Sequence, residues 1–190
     1  RGEVQQLLDH LAQYSPKLVE EVVPKLVPIP MFQKVLQNLL EESVHIRDLK
    51  TIVESLAEHG AKIQDPGELT REVRVALAPA IVQGIFGPSA DLSVAALDPA
   101  LESLLMQSFG PGSNGALDPS VADFLATEAA RICQQQEALG QPACLLVPDR
   151  IRPQVAAMVR KAAPRLRVLA HAEIPDTHTI RIGQLIGSNR

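Results

Sequence analysis

The chain has 190 residues and a formal net charge of −4, with 46% hydrophobic, 21% charged and 3% aromatic residues, the profile of an ordinary globular chain. With no Trp, one Tyr and four Phe, its core has to come from Leu, Val, Ile and Ala, which excludes recognition through exposed aromatic platforms, as in base stacking or sugar binding. The acidic balance argues against nucleic-acid binding by the chain as a whole, two cysteines are too few for a disulfide framework or a zinc knuckle, and no apolar run approaches the roughly 18 residues of a membrane span.

Consecutive helices are expected over the first eighty residues. Val4, Leu7, Leu8 and Leu11 recur at helical spacing. A shorter stretch (Leu18, Val22, Val23, Leu26) is broken by Pro24 and closed by Pro28 and Pro30, because proline cannot donate the helix hydrogen bond. Phe32, Val35, Leu36, Leu39 and Leu40 then mark a core-facing stripe, with Gln33, Lys34, Gln37 and Glu41 opposite. Ile46, Leu49, Ile52, Val53 and Leu56 repeat that pattern up to Gly60, a candidate C′ glycine. Asp65-Pro66 reads as an N-cap followed by a first-turn proline, opening a helix through Leu69, Val73 and Leu77 that ends before Pro79.

Beyond Pro79 the pattern becomes α/β. Ile81 to Phe86 and Leu92 to Leu97 read as strands split by the turn Gly87-Pro88-Ser89. Asp98-Pro99 and Asp118-Pro119 open helices, the second running through Ile132 to about Leu139, where Gly140 ends it. Ala143 to Val147 is a continuous apolar run suited to a strand buried on both faces. A helix (Val155, Met158, Val159, Ala162) and strands at Arg167 to Ala170 and Thr179 to Ile186 complete the chain. Strand, helix, strand spacing implies a right-handed parallel crossover. The expected fold is thus α followed by α/β: a helical subdomain over 1–80 and a small α/β subdomain with a mixed sheet over 81–190.

Few residues invite chemistry. Gly110 to Gly115 has the letters of a dinucleotide-binding turn, but it follows a helix rather than a strand, and Pro111 removes a donor. The five histidines lack ligand spacing, although His171, Glu173 and His178 lie close in sequence. Asp65, Asp98, Asp118 and Asp149 are accounted for as caps. Cys133 and Cys144 read as small buried hydrophobes. No catalytic group, cofactor or metal is expected. One electrostatic feature remains: from Arg150 to Arg167 there are basic residues and no acidic one. Arg150, Arg152, Arg160 and Lys161 form either a solvated outer face or a patch docking an acidic protein partner.

Residues 33 to 49 carry a more specific signal. Gln33-Lys-Val-Leu-Gln-Asn-Leu-Leu-Glu-Glu, then Val44-His-Ile-Arg-Asp-Leu49 and Thr51-Ile-Val-Glu-Ser-Leu-Ala, closely resemble the cytoplasmic region of the export-gate family shared by flagellar biosynthesis and virulence type III secretion. Val4-Gln-Gln-Leu-Leu-Asp9, Leu18-Val-Glu-Glu-Val22, Asp98-Pro-Ala-Leu-Glu102, Leu145-Leu-Val147 and Val168-Leu-Ala-His-Ala-Glu-Ile-Pro175 extend the resemblance along effectively the whole chain. The ending Ile180-Arg-Ile-Gly-Gln-Leu-Ile-Gly187 looks flagellar.

That resemblance implies a non-enzymatic role. The two halves look like the third, helical, and fourth, α/β, subdomains of the cytoplasmic part, with membrane contact only through an absent N-terminal domain. The expected location is the cytoplasmic face of the bacterial inner membrane. The implied partners are copies of itself in a ring below the export channel, export chaperone–substrate complexes and other export-apparatus proteins, with no nucleic acid. Gln37, Asn38, Arg47 and Asp48 are the candidate ring interface. Two readings stay open for Arg47 and Asp48, namely inter-subunit ion pairs and the start and cap of the following helix. The rivals from other classes are a small α/β enzyme binding a nucleotide or metal, and a nucleic-acid binder using the basic stretch.

Overall fold

The computed structural model describes residues 2–110, 112 and 115–187. The chain divides into two compact units, residues 1–81 and residues 82–190.

The first unit is helical: α1 (Gly2–Ala12), α2 (Pro16–Val22), α3 (Ile29–Glu41), α4 (Leu49–His59) and α5 (Pro66–Ala76). Phe32, Leu39, Ile52, Leu56 and Leu69 are fully buried at its centre. The stripes that placed these residues at helical spacing are therefore the faces that pack. The proline expected to close α2 has another role: Pro30 stands in the first turn of α3, where a missing N–H costs nothing. Gly60 caps α4 with right-handed backbone (φ −63°), so it does not serve as a left-handed terminator. What requires glycine there is space, since a Cβ would lie 2.7 Å from Cγ2 of Val27.

Ile81 to Phe86, expected as a strand, belongs to helix α6 (Ala78–Phe86). Pro79 fits the first turn of that helix instead of ending its predecessor. A six-residue segment, here with Gln83 and Gly84 at its middle, has no periodicity long enough to separate strand from helix.

The second unit contains β1 (Asp91–Leu97), α7 (Pro99–Ser108), α8 (Pro119–Ala138), β2 (Cys144–Val147), α9 (Arg152–Val159), β3 (Arg167–Ala170) and β4 (Thr179–Ile186). The sheet order is β3-β2-β1-β4, and every pairing is parallel. The mixed sheet expected from the sequence is corrected on this point. Helices carry the chain back between β1, β2 and β3, and residues 171–178 carry it back past β1 before β4 begins. Each strand thus starts from the same end. Ala95, Leu97, Leu145, Val147, Val168 and Ile186 pack in one cluster with Leu105, Leu125, Ile132, Val155 and Val159 of the helices.

Two buried polar arrangements hold this layer. Gln136, 1% exposed on α8, donates its amide to the Cys144 carbonyl (3.0 Å) and accepts from the Cys144 N–H (3.1 Å). The side chain thereby makes the two bonds a neighbouring strand residue would make, satisfying a buried backbone. At the far end of the sheet, Arg152 at 4% exposure donates to the Val168 carbonyl (3.2 Å) and lies 4.0 Å from Glu173, whose carboxylate accepts from the Ala170 N–H (2.9 Å). Removing one partner of a buried pair strands the other charge. Arg152→Ala should lower stability by about 3 kcal/mol, read as a reduced urea midpoint at unchanged slope, while exposed Lys161→Ala should shift it by less than about 0.5 kcal/mol.

Candidate interaction surfaces

On the helical unit, Asp48 stands at the N-cap of α4. One carboxylate oxygen accepts from the Thr51 N–H (3.2 Å), and the other from the Thr51 hydroxyl (2.6 Å). This is the capping role, which satisfies one of the helix's orphan donors. Arg47 and Gln37 are exposed. Asn38 faces inward instead: its amide donates to the Thr70 hydroxyl (3.1 Å), which itself donates to the Pro66 carbonyl (2.7 Å). Asn38 therefore ties α3 to α5. Arg74 of α5, 2% exposed, reinforces this contact from 3.9 Å beside Glu42.

Leu40 departs from its expected place. Leu36 and Leu39 are buried, but Leu40 is 54% exposed, three residues past Gln37 and beside Glu41 on the outward side of α3. The apolar stripe is one residue narrower than the sequence pattern indicates. An exposed leucine joins Gln37 and Arg47 as surface available for contact.

On the α/β unit the basic stretch separates into different environments. Arg152 is buried, as described, so it is removed from any docking patch. It opens α9 directly after a short 3-10 turn (Asp149–Ile151), and that position points the side chain at the end of β3. Arg150 and Lys161 are exposed and Arg160 is half-buried. Arg165 pairs with Glu137 at 3.1 Å. Arg150 and Lys161 flank opposite ends of the eight-residue α9, about 12 Å of helix.

The remaining sequence candidates are accounted for locally. Glu173 is committed to the Ala170 N–H and Arg152, and His178 contacts the Thr177 hydroxyl at 3.1 Å. In the loop from Gly110 to Gly115, Pro111, Ser113 and Asn114 lie outside the described residues, while Gly112 and Gly115 adopt positive φ (82° and 70°). Both cysteines are buried. Burial, with the Glu137 carboxylate accepting from its S–H (3.1 Å), pushes the Cys133 thiol up to about 11. Burial pushes Cys144 up to about 12.

A model of the FHIPEP family matches residues 1–179. The chain belongs to this family. Flagellar biosynthesis protein FlhA of Salmonella typhimurium is 46% identical over 187 residues, covering 98% of this chain and 27% of that protein. The chain thus spans about a quarter of the length of the curated relatives it matches. CdsV of Chlamydia pneumoniae, solved with CdsO, is similar at a TM-score of 0.87 and 28% identity, covering 97% of this chain and 54% of that one. Nonameric SctV-C from EPEC, solved by cryo-electron microscopy, gives 0.80 and 25% identity over 97% of this chain and 56% of that one. The same name, flagellar biosynthesis protein FlhA, is carried by the relative from Escherichia coli, also 46% identical over 187 residues.

Two outcomes follow from the geometry of this FHIPEP chain. Asp48→Ala should cost about 1 kcal/mol through the lost cap, and Asp48→Asn should recover most of it in thermal denaturation. The raised thiols contribute stability below about pH 9 that is lost as pH rises toward 11 and 12. At pH 8 both should resist iodoacetamide in the native state and react at once in 6 M urea, with native thiolate depleted about a hundredfold for Cys133. Rapid native labelling would contradict the buried placement.

Proposed function

We propose that this chain is the helical and α/β portion of the cytoplasmic region of a flagellar-type export gate, and that it works through protein contacts, without catalysis. The observation that carries the reading is the FlhA identity of 46% across 98% of the chain. In this account, copies of the helical unit contribute to a ring, as their nonameric structural neighbour assembles. The contact side is the outward face of α3 and the start of α4, with Gln37, Leu40 and Arg47 offered to a neighbour while Asp48 and Asn38 keep those elements in place. The α/β unit takes export-apparatus or chaperone–substrate partners, the first of these paralleled by the CdsV–CdsO complex. Arg150, Arg160 and Lys161 are its candidate charged contacts.

The test substitutes Leu40→Asp and Arg47→Glu together in the full-length gate, because both residues are exposed and neither caps a helix. Motility on soft agar should fall by more than half, and the cytoplasmic region should lose its ring fraction in sedimentation at unchanged far-UV circular dichroism. Wild-type motility with an intact ring would contradict the assignment. Micromolar binding of a nucleotide or divalent metal by titration calorimetry would favour the enzyme reading instead.

A further inference from the structure

β4 is an edge strand of unusual character. It is eight residues long, longer than the commonest strand length of about 5–6, and among the described residues it pairs only with β1, through seven of them. Edge strands are ordinarily blunted by brevity, by proline or by lysine. β4 has neither proline nor lysine, and Arg181 is its one charged residue.

The register shows which side chains stand open. Ile180 and Ile182 pair with Leu92 and Val94, Gln184 with Ala95, Leu185 with Ala96, and Ile186 with Leu97. The pairing slips between Val94 and Ala95, which leaves Gly183 as an extra residue on β4. Residues paired in register share a face of the sheet. Gln184 and Ile186 therefore lie on the face of Ala95 and Leu97, where Ile186 is fully buried. Ile180, Ile182 and Leu185 lie together on the opposite face, at 37%, 55% and 40% exposure.

The backbone follows the same division. The Thr179 N–H donates to the Ala90 carbonyl (2.8 Å), and the Ile186 carbonyl accepts from the Asp98 N–H (2.7 Å), so these residues face β1. Alternation from each end then directs the N–H and C=O groups of Ile180, Ile182 and Leu185 away from the sheet. The three residues with exposed aliphatic side chains are the three with open backbone groups.

We propose that the outer edge of β4 is a strand-addition site for an extended polypeptide segment in which aliphatic and acidic residues alternate. Such a strand would place its aliphatic side chains beside Ile180, Ile182 and Leu185 and its acidic ones on the other face, beside Arg181. Residues 177–187 contain Arg181 and His178 and no Asp or Glu, so the charge carried by β4 itself has one sign, with Asp91 of β1 the acidic residue nearest on that face, beside Thr179. A second copy of this chain is the poorer occupant. Eight residues fall well short of the roughly 20–30 a side of a stable protein interface, whereas a single added strand needs no more. The site is independent of the ring contact, which lies on the other unit.

The probe is a capped nine-residue peptide of alternating valine and glutamate, titrated into the nitrogen-15-labelled chain and followed by amide chemical shifts. Shifts should concentrate at Ile180, Ile182 and Leu185, and a valine–lysine peptide should bind about fivefold more weakly, the scale one or two cross-strand pairs supply. N-methylation of alternate peptide amides should abolish binding, as should Ile182→Glu at an exposed position. Arg181→Glu should reverse the preference between the glutamate and lysine peptides. The proposal is overturned if the shifts fall elsewhere, if N-methylation has no effect, if Arg181→Glu leaves the preference unchanged, or if the edge is instead filled by a homodimer in sedimentation.

Discussion

The α/β unit depends on a one-residue slip in the pairing of β1 with β4. A strand presents alternate residues to alternate faces, so an uninterrupted β4 would put Ile180, Ile182, Gln184 and Ile186 on one side. The extra residue at Gly183 breaks that series. Ile186 turns into the core beside Leu97, and its carbonyl receives the Asp98 N–H where α7 begins. Gly187 follows with φ +100°, and a Cβ there would sit 3.2 Å from Cβ of Leu101. The end of β4 is therefore anchored against α7, while its first half remains a surface strand. One bulge both closes the core and leaves the aliphatic stripe open.

Opposite β4 in the sheet, β3 is held by charges taken out of water. Arg152 and Glu173 bind each other and the backbone of Val168 and Ala170, and Asp149 accepts from the Ala172 N–H (3.1 Å). A buried pair of this kind contributes little net stability over an apolar replacement, yet tolerates no loss of a single partner. It fixes where the chain leaves β3 for the connection to β4. The helical unit uses a lighter version of the same device, with Asn38–Thr70 and Arg74–Glu42 tying α5 to α3. In both units the polar residues that hold the frame are not the ones left over for contact.

Much of this frame was legible in the sequence. The Asp-Pro pairs at 65, 98 and 118 mark helix starts because cap and first-turn proline act on backbone within a few residues, and each aspartate accepts the expected backbone N–H. The helical stripes and all four strands, each within one residue of its expected limits, come from local patterning, and the family resemblance supplied what patterning could not. The misses share a different cause. Whether Ile81 to Phe86 is helix or strand, whether Arg152 points outward, whether Leu40 is covered and whether the sheet is mixed all depend on which distant element arrives next to them.

Residue-resolved amide hydrogen exchange of the unliganded chain tests the β4 register most directly. Protection should fall on Thr179 and Arg181 before Gly183 and on Gln184 and Ile186 after it, with Ile180, Ile182 and Leu185 exchanging fast. The parity of protected residues thus changes from odd to even across the glycine. An unbroken alternation through Gly183, or protection at Ile180, Ile182 and Leu185, would contradict the account.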